Sequence, residues 1–324
     1  MKKILITGGS GFLGLHLANR LFDAGHKIDL VDNFSRGKKD QELEEFISHE
    51  GVRIFNLDLR DKSVLSELDQ DYDYIYHLAA IVGVKNVLEA PYRVLSENIS
   101  MLDNLLGFAD SQKGLERFVF ASTSEVYAGS LPFSFMEVPT AEDTPLTLPD
   151  LKHNRTSYML SKICGEVMCN YANVPTTIVR PHNVYGPRMG MAHVIPELLK
   201  KAQALSDGSS LEVFSVDHLR TFCFVDDAVS LLIELSQSDK TVGEVYNLGN
   251  QSPEVKIGEL AEIIIKTVGK NLEISPQPPT PGSPEKRAPE MSKVGSVIDF
   301  RSQVSLEEGV KKTYDWYLEK VFNA

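Results

Sequence analysis

The chain of 324 residues is 42% hydrophobic and carries 33 basic against 45 acidic side chains, a formal net charge of −12. That balance argues against a nucleic-acid partner, whose phosphates it would repel. No run of 18 apolar residues exists, so no membrane span is expected.

The first residues, Met1-Lys2-Lys3-Ile4-Leu5-Ile6, are basic and then apolar. The apolar run stops at a glycine turn, so Lys2–Ile6 is predicted as a first strand rather than a signal peptide. Gly11–Ala24 follows with helical spacing of Phe12, Leu13, Leu17, Leu21 and Phe22. Strand patterns recur at Lys27–Val31, Val52–Phe55, Tyr74–His77 and Phe118–Ala121, with helical patterns between them, the clearest over Val94–Ala109. A helix carrying Tyr158 and Lys162 leads to a sixth strand at Thr176–Arg180. Strands alternating with helices of this length imply βαβ units, and hence an α/β fold with a doubly wound parallel sheet.

Beyond Gly186 the rhythm loosens. Helices are expected over Ile195–Leu205, Asp226–Leu235, Ile257–Val268 and Ser305–Leu318, with short strands near Leu211–Phe214 and Glu244–Asn247. Ser275–Pro289 contains six prolines and is expected to be a surface loop. The expected division is a large domain over 1–185 and a smaller mixed α/β lobe over 186–324, with the chain free to cross between them. Cys164, Cys169 and Cys223 have no metal-ligand spacing and are expected as free thiols in a reducing cytoplasm.

Gly8, Gly11 and Gly14 follow a strand and open a helix, the context of a dinucleotide-binding turn. The first two let the backbone approach a pyrophosphate at the helix N-terminus, and Gly14 lets helix pack on strand. Asp32 ends the second strand 18 residues after Gly14, where a carboxylate can accept from both ribose hydroxyls. It would repel a 2′-phosphate, so NAD is favoured over NADP, a preference that Arg36, Lys38 and Lys39 weaken. Asp58 can accept from an adenine amino group or cap a helix. Leu78-Ala79-Ala80 is small enough for close approach to a nicotinamide ribose, while His77 reads as a buried structural histidine. Thr123 and Glu125, at the end of the fifth strand, can face a substrate or simply cap a turn.

Tyr158 and Lys162 share a helical face one turn apart. An ammonium beside a phenol favours the phenolate, which would make Tyr158 a usable base near the glycine turn.

Together these residues resemble the extended short-chain dehydrogenase/reductase family that modifies nucleotide sugars. The resemblance rests on TGGSGFLG, VDNFSRG, DLR, YHLAA, STSEVY, the Tyr158/Lys162 pair, RPHNVYGP (180–187), RTFCFVDD (220–227), NLGN (247–250) and KRAPE (286–290). It implies a Rossmann-type sheet, with NAD bound around Gly8, Gly11, Phe12, Leu13, Gly14, Asp32, Asn33, Asp58, Leu59, Leu78, Ala79 and Ala80, and by Tyr158 and Lys162. It implies that Tyr158 removes the sugar's 4-hydroxyl proton, Thr123 binds that hydroxyl, and Lys162 holds the nicotinamide ribose. Asn183, Arg220 and Arg287 match positions that bind the nucleotide diphosphate, with Arg188 a weaker candidate. Glu125 lies where dehydratases and UDP-glucuronate decarboxylases carry a catalytic glutamate and 4-epimerases usually lack a carboxylate.

The resemblance thus implies a transient 4-keto sugar followed by 4,6-dehydration or decarboxylation, with 4-epimerisation as the alternative and a non-catalytic dinucleotide sensor as a remote one. A homodimer through Val94–Ala109 and Tyr158–Tyr171 is implied as well. Ala128, His182 and the long segment 129–154 depart from the family pattern, and Arg155 and His193 are candidates to touch an unusual substrate.

Overall fold

The computed structural model describes residues 1–133, 137–148, 150–279 and 284–323. From the N-terminus the chain runs β1 (Lys3–Thr7), α1 (Phe12–Asp23), β2 (Lys27–Val31), α2 (Gln41–Ile47), β3 (Val52–Phe55) and β4 (Tyr74–His77). Then come α3 (Val84–Glu89), α4 (Pro91–Asp110), β5 (Arg117–Ala121), α5 (Arg155–Tyr171) and β6 (Thr176–Pro181). The middle of the chain forms β7 (Val184–Tyr185), α6 (Val194–Ala204), β8 (Ser210–Phe214), β9 (Leu219–Arg220), β10 (Cys223–Phe224) and α7 (Val225–Gln237). The last part forms β11 (Glu244–Leu248), β12 (Val255–Lys256), α8 (Ile257–Val268), β13 (Glu273–Gln277), β14 (Lys286–Arg287), α9 (Ser292–Gly295) and α10 (Leu306–Tyr317).

Seven parallel strands form the main sheet in the order β3-β2-β1-β4-β5-β6-β11. Alternate side chains of β1 feed opposite faces, as the strand's two-residue period requires. Ile4 and Ile6 join the core beneath α1 and α7, whereas Leu5 joins the core that includes Met101, Leu102 and Leu105 of α4. With both faces covered, the strands are continuous apolar runs, and all five residues of β5 are buried. The strand order reverses direction between β1 and β4, which opens a crevice at their carboxyl ends.

Two expectations change. Glu244–Asn247, placed among the looser segments after 186, is part of the seventh strand of the main sheet and pairs with β6. A five-residue strand carries no mark of its partner, so only the assembled sheet reveals the return. Ser275–Pro289 is not all loop. Glu273–Gln277 pairs in parallel with β8, and Lys286–Arg287 pairs with β9, while 280–283 lie outside the described residues. Pro276 is tolerated because this sheet has two strands, so one side of β13 needs no amide donor.

Beneath the crevice lies a buried charged network. Glu166 of α5 receives two guanidinium bonds from Arg180 of β6, at 2.9 and 2.6 Å, and one from the Ser122 hydroxyl at 2.5 Å. Arg180 also donates to Tyr127 Oη at 2.7 Å and to the Glu142 carbonyl at 2.9 Å. Tyr127 and His182 both meet Asn247 Oδ1, at 2.9 and 3.0 Å, so His182 belongs to this network. Removing one partner of a buried pair leaves the other charge uncompensated. Glu166→Ala should therefore lower unfolding free energy by about 3–5 kcal/mol in urea titration, far more than removal of an exposed pair such as Lys311–Asp315.

Candidate active site

The turn between β1 and α1 is built on close approaches. Gly8 has φ 70°, and a Cβ on it would lie 2.9 Å from the Ala79 amide nitrogen. A Cβ on Gly14 would lie 2.2 Å from the Gly8 carbonyl oxygen. The Gly11 amide donates to that same carbonyl at 3.0 Å. Asp32 closes the turn from the end of β2, accepting from the Ser10 amide at 3.1 Å and the Phe34 amide at 2.9 Å. Phe12 and Leu13 form the first turn of α1, whose free amides face an anion site. Leu78, Ala79 and Ala80, at the end of β4, are half-buried, and the backbone of Leu78 and Ala79 packs directly against Gly8. His77 is fully within the sheet, bonded to the Thr7 hydroxyl at 2.8 Å, with burial pushing its pKa down to about 3.

Two predicted cofactor residues sit differently from the rest. Asp58 is ion-paired with Arg60, which holds its carboxyl down at about 2, and it also accepts from the Asn33 amide at 3.4 Å. Leu59 is a buried core side chain whose carbonyl accepts from Asn104 at 2.9 Å.

Across the crevice, α5 brings the Tyr158 phenol beside the Thr123 hydroxyl, close enough for that hydroxyl to act on its ionisation. The Thr123 hydroxyl also accepts from the Glu125 amide at 3.2 Å. Lys162 is buried, with Nζ donating to the Ala121 carbonyl at 2.8 Å and lying 5.9 Å from the centre of the Tyr158 ring. The expected lowering of the phenol by this lysine is not what the protein alone provides. Burial pushes Tyr158 up to about 12, with the Glu125 charge acting in the same direction and the Thr123 hydroxyl and the Arg36 charge opposing it. The ammonium itself is pushed down by burial to about 8.

On the far wall, Arg220 of β9 and Arg287 of β14 are register partners on adjacent strands. Arg220 donates to the Leu219 and Pro284 carbonyls, each at 2.7 Å, and burial with Arg287's charge lowers it to about 10. Two crowded cations are a ready site for a diphosphate. Arg287 bonds Glu125 at 3.0 Å. Asn183, at φ 42°, donates to the Thr221 carbonyl at 2.9 Å and lines a cleft of about 270 Å³ with Phe214, Arg220 and Phe222. Arg155 is exposed at the start of α5. Arg36, read in the sequence only for its effect on cofactor preference, spans the crevice towards Gly190, and its charge acts on Tyr158 and His193. Nothing in its local sequence announces that reach.

The model of the NAD dependent epimerase/dehydratase family matches residues 4–249. The chain belongs to that family. It is 35% identical to the UDP-N-acetyl-alpha-D-glucosaminuronate decarboxylase of Bacillus cytotoxicus, covering 98% of each chain. It is 34% identical to UDP-glucuronic acid decarboxylase 1 of Xenopus tropicalis, over 99% of this chain and 73% of that protein. Among solved structures, the UDP-glucuronic acid 4-epimerase of Bacillus cereus, in complex with UDP-glucuronic acid and NAD, superposes with a TM-score of 0.82 at 27% identity, covering 97% and 98% of the two chains. As in the family at large, NAD is the cofactor here, and the turn fits it: a Cβ at Gly8 or Gly14 would strike backbone, so only glycines allow the tight turn that presents the first amides of α1 to a pyrophosphate.

The buried lysine yields a stability test. Its folded pKa of about 8 lies below the unfolded value of 10.5, so the folded form binds fewer protons between those two pH values. Stability therefore rises with pH across that window, and burying the charge costs about 3 kcal/mol below it. Without NAD, Lys162→Met should melt higher than wild type at pH 7, and the gap should shrink by pH 10.

Proposed function

We propose that the protein is an NAD-dependent nucleotide-sugar decarboxylase acting on a UDP-linked uronic acid. The observation that carries this reading is the 3.0 Å ion pair between Glu125 and Arg287, beside Thr123 and Tyr158. A neutral hexose has no group for that guanidinium, whereas a sugar carboxylate can take the place of Glu125. The curated relatives named above, both decarboxylases of UDP-uronic acids, support the same choice.

When bound, NAD⁺ would supply the chemistry that takes up hydride from C4 and later returns it. Tyr158 receives the 4-hydroxyl proton, with Thr123 orienting that oxygen and Lys162 holding the ribose. The resulting 4-ketone is β to the C5 carboxylate, so the C5–carboxyl bond can break with its electron pair passing into the enolate. Carbon dioxide leaves, and Glu125, directly or through water, returns a proton to C5. Tyr158 would then give its proton back to O4, restoring the hydroxyl. The redox change is internal, and the balance is loss of carbon dioxide with uptake of one proton. Arg220, Asn183 and the cleft beside them hold the nucleotide. At about 270 Å³ that cleft suits a base and ribose rather than a whole nucleotide sugar. Residues 186–324 thus serve mainly as the substrate lobe.

Incubation with UDP-glucuronate and UDP-N-acetylglucosaminuronate, read by product mass, tests this reading. Loss of carbon dioxide is expected from at least one. An isomer of unchanged mass would instead establish a 4-epimerase, and loss of water a dehydratase. Glu125→Gln should reduce turnover at least about 100-fold while oxidation at C4 persists, and Tyr158→Phe should abolish both.

We also propose a cytoplasmic homodimer. On the paired helices α4 and α5, Val167 and Tyr171 are 50% and 88% exposed one turn apart at the end of α5, and Tyr92 is 80% exposed at the start of α4. Large apolar side chains left open along a helix pair suit a second protein surface. Light scattering should give a dimer for wild type and a monomer for Val167→Asp/Tyr171→Glu. A wild-type monomer at micromolar concentration would refute it.

A further inference from the structure

The sequence offers Arg188 as a minor candidate for the substrate's diphosphate, but its guanidinium lies elsewhere. Its side chain is 6% exposed and reaches back to the glycine turn. Nη1 donates to the Ser10 carbonyl at 2.7 Å and the Gly11 carbonyl at 3.2 Å, Nη2 to the Lys38 carbonyl at 3.3 Å, and Nε to Asp40 at 2.8 Å. The Glu42 carboxylate stands 3.7 Å away. The backbone at Arg188 has φ 68°, a region most side chains avoid, so local preference is not what keeps it there. Its neighbours are pinned too. The Pro187 carbonyl meets His16 of α1 at 3.1 Å, and the Met189 carbonyl accepts from the Tyr317 hydroxyl of α10.

A peptide unit points its carbonyl and its amide in opposite directions. The Gly11 amide is taken up by the Gly8 carbonyl, but a cation holding the Gly11 carbonyl turns the Phe12 amide the other way, towards the anion site at the head of α1. The same guanidinium ties the turn to the 38–40 segment, on the other side of the adenosine-binding carboxylate Asp32. It also sits five residues after Asn183, which lines the nucleotide cleft.

We propose that Arg188 is a positioning residue for NAD, preorganising the pyrophosphate-binding amides from the substrate side of the crevice and keeping the cofactor from exchanging. It touches neither the sugar nor the reacting atoms. The fork matters as much as the charge, because several acceptors at different angles are held at once, which a lysine cannot reproduce.

The test follows cofactor occupancy and needs no substrate. Wild type, Arg188→Lys and Arg188→Met are purified without added nucleotide, and NAD released by acid is quantified by absorbance and mass. Each is then stripped and titrated with NAD, following the melting temperature. Both variants should carry much less NAD than wild type and require about tenfold or more NAD for half of the thermal shift, while reaching a similar melting temperature at saturation. Variants that melt lower yet keep wild-type occupancy and half-saturation would show a merely structural role and overturn the proposal. Should Arg188→Met not fold, Arg188→Lys carries the test, since it keeps the charge and the aliphatic stem. Wild-type NAD affinity in that variant would be equally fatal to the proposal. The outcome is independent of which sugar reaction the enzyme performs.

Discussion

Glu166 brings a carboxylate into a place almost closed to water, and the position of the catalytic helix depends on how that charge is met. An isolated buried carboxylate would cost several kcal/mol, so Glu166 must stay where Arg180 and the Ser122 hydroxyl reach it. Arg180 lies on β6 and Ser122 immediately follows β5, and that geometry sets where α5 can rest along both strands. Tyr158 and Lys162 stand two turns and one turn before Glu166 on α5. The register that satisfies the carboxylate is therefore the one that delivers the phenol to Thr123 and the ammonium to the Ala121 carbonyl. Helix slippage would break all three contacts together.

The electrostatics of the two reactive groups point to a division of labour between protein and cofactor. Alone, the protein holds Tyr158 near 12 and Lys162 near 8, the opposite of an activated phenolate beside a firm ammonium. Burial drives both shifts, because it penalises whichever form is charged. Both groups thus stand in surroundings that disfavour charge, and in the proposed reaction the positive charge of NAD⁺ would favour loss of the phenol's proton.

The far wall works by crowding charge of one sign. Arg220 and Arg287 share a register position on paired strands, and Glu125 takes up part of the surplus. In the reaction proposed above, a substrate bringing both a diphosphate and a carboxylate would relieve this repulsion at two points, and its carboxylate would compete with Glu125 for Arg287.

The sheet, the glycine turn and the Tyr158/Lys162 helix were legible in the sequence because each is written in local terms. Glycines are needed wherever a Cβ would strike backbone, apolar runs wherever a strand is covered on both sides, and a four-residue spacing wherever two side chains share a helical face. The placing of Glu244–Leu248 beside β6 was not legible, nor was the strand within Ser275–Pro289, since pairing depends on a partner far along the chain. The same limit applies to the site. Sequence by itself determined which residue types surround the cofactor and the sugar. Only tertiary structure decided that Asp58 is spoken for by Arg60, that Glu125 faces Arg287, and that Arg188 reaches back to the glycine turn. A side chain's charge is a property of the chain, but its counter-charge is chosen by what the fold brings within about 3 Å.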